Sequence, residues 1–250
     1  MKNRYAVFEA PKTNSLFVRI FILLACLTLS FAAQANAQAA GDYRSNATVF
    51  NWNAAGNWQR WNGSTWVLNP IEGYPGQNPG TGTVTIRDGA TVTINVTPAN
   101  PIGGLVVGEG TSGTLQFDNA NRTLNVGSGG VTVNANGTFR VATPANPNNN
   151  THTINISGGG SFINNGTVNF REVSGGNTDV ANINLSGNLS GSGTSTFNNI
   201  TFNGTNNQLI DIGGTVAING TAAGTITFNN TGTAPNNQIT NQSVAFTNAI

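Results

Sequence analysis

Side chains able to do chemistry are few in this chain and stand far apart. After residue 37 there are eight carboxylates (Asp42, Glu72, Asp88, Glu109, Asp118, Glu172, Asp179 and Asp211), six arginines, one histidine and no lysine. Glycoside hydrolysis needs two carboxylates flanking one bond, and no two of these acids are adjacent in sequence. A calcium site needs six to eight oxygen ligands, and no Asp-rich repeat supplies them. His152, in Thr151-His152-Thr153, has no cysteine after residue 37 and no acid beside it, so it reads as a surface histidine and not as a metal ligand or proton relay. Gly108-Glu109-Gly110-Thr111-Ser112-Gly113 has the spacing of a dinucleotide-binding loop, but such a loop opens a helix. Here the alternating Thr114-Leu115-Gln116-Phe117 predicts a strand. These residues therefore predict no catalytic group, no metal and no cofactor, and a chain that is not an enzyme.

The one group with a ligand-binding alternative is aromatic. All four tryptophans, Trp52, Trp58, Trp61 and Trp66, fall within a short stretch, and exposed indole faces suit sugar rings. The competing role is to cover the apolar end of a repeat structure, whose terminal units are characteristically atypical in sequence. Capping is the preferred reading, with a glycan platform of the same four residues as the alternative.

What must position them is a repeat. From residue 83 onward the chain places two apolar residues around a polar one, again and again: Val84-Thr85-Ile86, Val92-Thr93-Ile94, Leu115-Gln116-Phe117, Leu124-Asn125-Val126, Ile154-Asn155-Ile156, Ile183-Asn184-Leu185, and on to Val244-Ala245-Phe246. Alternation at period two sends the flanking residues to one face and the middle one to the other, so each unit is a short strand buried on one side. Between units lie turns rich in Asn and Gly, residues tolerant of positive φ. Units start roughly eight to ten residues apart, so three strands and three turns make a coil of about 20 to 30 residues. This predicts an all-β chain: a single right-handed parallel β-helix over residues 83–250, capped by a Trp-rich segment at 38–82. A sandwich of short antiparallel strands is the structural alternative.

Residues 1–37 read as a signal peptide. Lys2, Arg4, Lys12 and Arg19 supply the charge, residues 20–33 the apolar core, and Ala35-Asn36-Ala37 a small-residue cleavage site. Cys26, the only cysteine, also allows a lipoprotein reading of Leu23-Leu24-Ala25-Cys26. With the leader removed, six arginines face eight acids. The absence of a basic patch excludes a nucleic-acid partner and disfavours an anionic membrane surface. No integral membrane segment is expected in the mature chain. Its location is expected to be secreted or on the outer cell surface, with extracellular glycans or a host or biofilm surface as partners.

From residue 51 to about 141 the order of motifs resembles the extracellular domain named for its eight conserved glycines. The resemblance rests on Asn51-Trp-Asn-Ala-Ala-Gly-Asn-Trp58, Tyr74-Pro-Gly76, the run from Val84 to Ile94, Leu105-Val-Val-Gly108, Gly113-Thr-Leu-Gln-Phe117 and Gly137-Thr-Phe-Arg-Val141. The usual glycine after the last strand is missing. More broadly, residues 43–250 resemble the amino-terminal portion of large secreted, adhesin-like surface proteins of Gram-negative bacteria, especially those exported by the type IX system. That resemblance implies a β-helix and surface display. Because the pattern runs to Phe246 and the chain stops at Ile250, a fragment of a longer protein is expected. Asn177-Thr178-Asp179 resembles an element of polygalacturonase-type glycosidases, yet their paired aspartates, Gly-His-Gly and Arg-Ile-Lys elements are absent. Asp179 therefore reads as a turn residue. The function expected is that of a non-catalytic structural or adhesion protein, with a polysaccharide-binding or polysaccharide-degrading β-helix as the alternative.

Overall fold

The alternating units become strands of a parallel β-solenoid. The computed structural model describes residues 38–143, 149–213, 216–218, 224–233 and 239–241; the leader, Cys26 and Val244-Ala245-Phe246 lie outside them. The chain enters through β1 (Tyr43–Ser45) and β2 (Val49–Asn51). It then makes a single 3-10 turn (Ala55–Asn57) and a hairpin of β3 (Trp58–Trp61) and β4 (Trp66–Leu68) before resuming at β5 (Thr83–Ile86) and β6 (Thr91–Ile94). Next come β7 (Ile102–Val107), β8 (Thr114–Phe117), β9 (Thr123–Val133), β10 (Thr138–Arg140), β11 (Asn150–Ile156), β12 (Phe162–Asn164) and β13 (Thr167–Asn169). After β14 (Arg171–Ser174) and β15 (Asn177–Leu185), the described strands are β16 (Leu189–Gly191), β17 (Thr194–Phe197), β18 (Ile200–Phe202), β19 (Gln208–Ile212), β20 (Val216–Ile218), β21 (Ile226–Phe228) and β22 (Ile239–Asn241).

Stacking gives three faces. One runs β1, β5, the end of β7, the end of β9, β12, β16, β19 and β22; a second is the separate sheet β2-β6-β8-β10-β13-β17-β20. A third begins at Ile102 and continues through the first half of β9, β11, the end of β15, β18 and β21. Pairing along every face is parallel, which disposes of the antiparallel sandwich; the antiparallel pairs among the described strands are β1–β3 and the hairpins β3–β4 and β14–β15. The β14–β15 turn is Gly175-Gly176, with φ of 57° and 84°, the left-handed pair a two-residue hairpin requires.

The expected boundary at residue 82 moves. β1 and β2 already pair in parallel with β5 and β6, so the ladder starts at Tyr43 and residues 52–82 are an excursion inserted after its first rung. Their local pattern hides this, because two short strands precede the excursion and the repeat only becomes regular beyond it.

Inward residues form one continuous core. Val84, Ile86, Val92, Ile94, Leu115, Phe117, Leu124, Val126, Val131 and Val133 are fully buried, and so are counterparts such as Ile154, Leu185 and Phe202 in later coils, whereas Phe228 at the β21 rung is exposed. Phe139, Phe162, Phe170 and Phe197 pack as neighbours with centroids 4.9 to 6.1 Å apart, a spacing that suits offset and edge-to-face rings.

Asparagine does two structural jobs. At the corners, the side-chain oxygens of Asn121, Asn149, Asn188 and Asn199 accept the backbone N–H of Thr151, Thr178, Leu209 and Thr225 in the next coil, satisfying donors that the sheet ladders leave open. On the third face, Asn155 Nδ2 donates to Asn125 Oδ1 at 2.8 Å and Asn184 Nδ2 to Asn155 Oδ1 at 2.7 Å. This amide ladder sits at outward strand positions. Asn155 holds two of its bonds, so Asn155→Ala is expected to lower stability by about 1 to 2 kcal/mol, read as a shift of the urea midpoint; an unchanged midpoint would show the ladder to be ornamental.

Candidate functional site

The four tryptophans separate into two pairs. Trp52 and Trp58 have no exposed surface. Trp58 stands at the centre, 5.1 Å from both Phe50 and Trp52 and 6.5 Å from Tyr43, each edge-on. Its Nε1 donates to the carbonyl of Trp52, and Trp52 Nε1 donates to the carbonyl of Pro75. The motif Tyr74-Pro75-Gly76 thus serves to receive Trp52. Gly76 has φ of +76°, and a β-carbon there would come within 2.7 Å of the Asn100 carbonyl and of Pro98. Burial leaves Trp52 and Trp58 no face for a sugar, which corrects that half of the expected glycan platform: these two rings close the first coil.

Trp61 and Trp66 are only partly buried. They are paired across β3 and β4, with rings 5.4 Å apart. The register puts Arg44 opposite Gln59, and Gln59 opposite Leu68, so β1, β3 and β4 present Arg44, Gln59, Trp61, Trp66 and Leu68 on one face. The Arg44 guanidinium lies 4.2 Å above the Trp66 ring, and its Nε donates to Gln59 Oε1 at 2.6 Å. Among the described residues Arg44 has no carboxylate within ion-pair distance, whereas Arg60, Arg87 and Arg122 do. Sequence reasoning missed Arg44 and Gln59; alternation within β1 and β3 was the available signal, but the pairing of the two strands was not. The opposite side of the hairpin carries a cleft of about 360 Å³ lined by Arg60, Asn62, Val67 and Glu72 among others, where Arg60 and Glu72 are paired at 2.7 Å.

Among the described residues, seven of the eight acids after residue 37, all but Asp211, take part in hydrogen bonds or ion pairs. Asp118 takes a two-pronged bond from Arg122. Asp88, Glu109 and Arg87 do meet at one corner, but Asp88 accepts N–H bonds from Glu109, Thr111 and Ser112 and a hydroxyl bond from Thr111. Those bonds, the Thr111 hydroxyl foremost, hold its carboxyl at about 2, the reverse of what a general acid needs. Here the glycine-rich segment is a corner between β7 and β8, laid over Asp88.

Two expectations are corrected by phase within a strand. In β11, residues 150, 152, 154 and 156 all point inward, so His152 is not on the surface. It is fully buried, stacked on Phe117 at 4.4 Å, and neither ring nitrogen has a protein partner. Burial lowers its pKa to about 4, opposed by nearby Asp118 and assisted by Arg122. In β15 the same phase buries Asp179, which is a strand residue and not a turn residue. Its Oδ1 accepts both the backbone N–H and the side-chain amide of Asn150, each at 2.9 Å, which ties the start of β11 to the β14–β15 hairpin. No group of three or more potential metal-ligating side chains occurs among the described residues.

The chain matches the G8 domain over residues 61–189, just over half of its 250 residues. It belongs to the G8 domain family. No curated protein and no solved structure matches it. The G8 match starts ten residues later than the resemblance read from motifs and extends well beyond Val141, so it takes in β4 through β15 but only Trp61 of β3. The face of Arg44, Trp61 and Trp66 therefore straddles the start of the G8 domain, with Arg44 before it. The G8 domain and the solenoid fit an extracellular structural protein in general, and no helix among the described residues is long and apolar enough to cross a membrane.

Proposed function

We propose that this chain is a non-catalytic structural solenoid of the bacterial surface, adhesin-like, exported through the leader 1–37, and weakly glycan-binding at its first coil. An origin as the amino-terminal portion of a large Gram-negative surface protein of the type IX kind belongs to the same reading and rests on the sequence resemblance. The observation that carries the binding assignment is the face on which Trp61, Trp66 and an unneutralised Arg44 lie together, part-exposed on a flat three-strand surface. Indole faces offer apolar contact to the C–H side of a sugar ring, and Gln59 and Arg44 offer donors at its rim. The non-catalytic reading is supported by the pairing of seven of the eight acids with backbone, asparagine or arginine in structural roles.

Substituting Trp66 by Ala, and separately Trp61, is expected to weaken retention on immobilised glycans. The melting temperature should fall by only about 2 °C, because the exposed cation–π contact contributes about 0.5 to 1 kcal/mol. Full retention by both variants would remove the binding assignment. Release of new reducing or unsaturated ends from pectin, alginate or hyaluronan by the purified chain would restore the polysaccharide-degrading alternative.

A further inference from the structure

We propose that a second, chemically distinct site lies at the end of the asparagine ladder: a shallow groove on the third face that binds neutral, hydroxyl-rich ligands of the oligosaccharide class. The groove has a volume of about 320 Å³ and is lined by Asn155, Ser157, Gly158, Asn184, Ser186 and Asn203 around Ile156, at the small end of the range for small-ligand sites.

Register builds it. Asn155, Asn184 and Thr201 are aligned rungs of β11, β15 and β18, as are Ile156, Leu185 and Phe202. The residues that follow, Ser157, Ser186 and Asn203, therefore form a second polar row beside the first, with rungs about 4.8 Å apart. The backbone N–H groups of this second row are already committed to Val126, Ile156 and Leu185 carbonyls, so recognition falls to the side chains.

The ladder orients those side chains. Asn184 uses its Nδ2 on Asn155, which fixes the amide plane and turns Oδ1 toward the next coil. There Thr201 stands where another asparagine would continue the ladder. Among the described residues, Asn184 Oδ1 and the exposed Asn203 amide have no hydrogen-bond partner. Ser186 Oγ accepts the Gly159 N–H and keeps its own proton to donate. The groove thus offers fixed acceptors and donors side by side with no charged residue in its lining. An anion would find no cation there and a metal ion no carboxylate, whereas a vicinal diol both donates and accepts. Pre-ordered amides reduce the entropy lost when such a ligand is held.

Saturation-transfer NMR on the intact chain tests the assignment, with cellopentaose and mannopentaose as neutral probes and an oligogalacturonate as the charged one. A neutral probe is expected to bind at millimolar concentration. Measured in the Trp66→Ala background, where the aromatic face no longer contributes, Asn203→Ala and Asn184→Ala should each weaken neutral-probe binding about five- to tenfold, the loss of one net hydrogen bond. Asn203 is exposed, so its variant should fold as the parent does, and a matching melting temperature verifies this. The proposal is overturned if neither neutral probe binds, if adding Asn203→Ala to Trp66→Ala leaves binding unchanged, if the oligogalacturonate binds more tightly than both neutral probes, or if Trp66→Ala abolishes the signal. That last outcome would assign all saccharide binding to the aromatic face, so this groove and the tryptophan face can fail separately.

Discussion

Replacing Trp58 by alanine is expected to lower stability by about 3 to 5 kcal/mol, the range for removing a large aromatic side chain from a closed core. The ring touches Tyr43, Phe50 and Trp52 and donates its Nε1 to the Trp52 carbonyl. Its loss therefore opens a cavity and leaves a buried acceptor without its donor. Because Phe50 and Tyr43 belong to β1 and β2, damage should start at the first rung and propagate, as it does in stacked repeats whose units are stabilised by their neighbours. Chemical denaturation gives the magnitude, and hydrogen exchange should show protection lost first in residues 43–51 and 84–94. A loss below about 1 kcal/mol, or exchange rising first near β18, would mean that the tryptophan cluster does not close the solenoid. Trp66→Ala is the internal control: it changes the same residue type on the outer face.

Acid is expected to weaken the fold in two separate windows. His152 has its pKa pushed down by burial from 6.5 to about 4, so the unfolded chain binds this proton more readily than the folded one. Stability from the neutral imidazole is thus complete above about pH 6.5 and is lost as pH falls toward 4; the shift corresponds to roughly 3 kcal/mol at most. Asp88 is also depressed, from 3.8 to about 2 by its Thr111 and backbone hydrogen bonds, so its share persists down to about pH 3.8 and is lost below. Denaturation midpoints at pH 7, 5.5 and 4 should fall steadily for the parent chain. His152→Phe, which keeps a ring against Phe117, should flatten that decline while retaining the one below pH 3.8. An imidazole resonance titrating near 6.5 would place His152 in water and overturn the argument for a buried neutral ring.

The positions of these two groups were open to sequence reasoning to different degrees. His152 sits two residues before Ile154 and four before Ile156, in phase with the buried set, and Asp179 stands in the same relation to Ala181, Ile183 and Leu185. Treating them as a surface residue and a turn residue allowed residue chemistry to outweigh a phase already visible. The short strands β12 and β16 show only one or two apolar residues between turn signals, whereas Ile200-Thr201-Phe202 in β18 and Ile210-Asp211-Ile212 in β19 carry the full alternating unit. The tryptophans were harder. They crowd one stretch of sequence, and which of them is buried depends on where the β3–β4 hairpin folds back against β1.

The chain alone determined the strand character and the inward set, because alternation is a local property that survives any arrangement of the coils. Which outward groups become neighbours was decided only by tertiary structure. Successive rungs are separated by spans as short as the 17 residues from Ile183 to Ile200 and as long as the 42 from Val49 to Thr91, which contains the 52–82 excursion. Each corner therefore closes at its own length, and no fixed period predicts that Asn125, Asn155 and Asn184 will stack or that Arg44 will lie over Trp66. Those alignments come from the requirement that every rung keep its backbone ladder and its buried row in register with the coil beneath it.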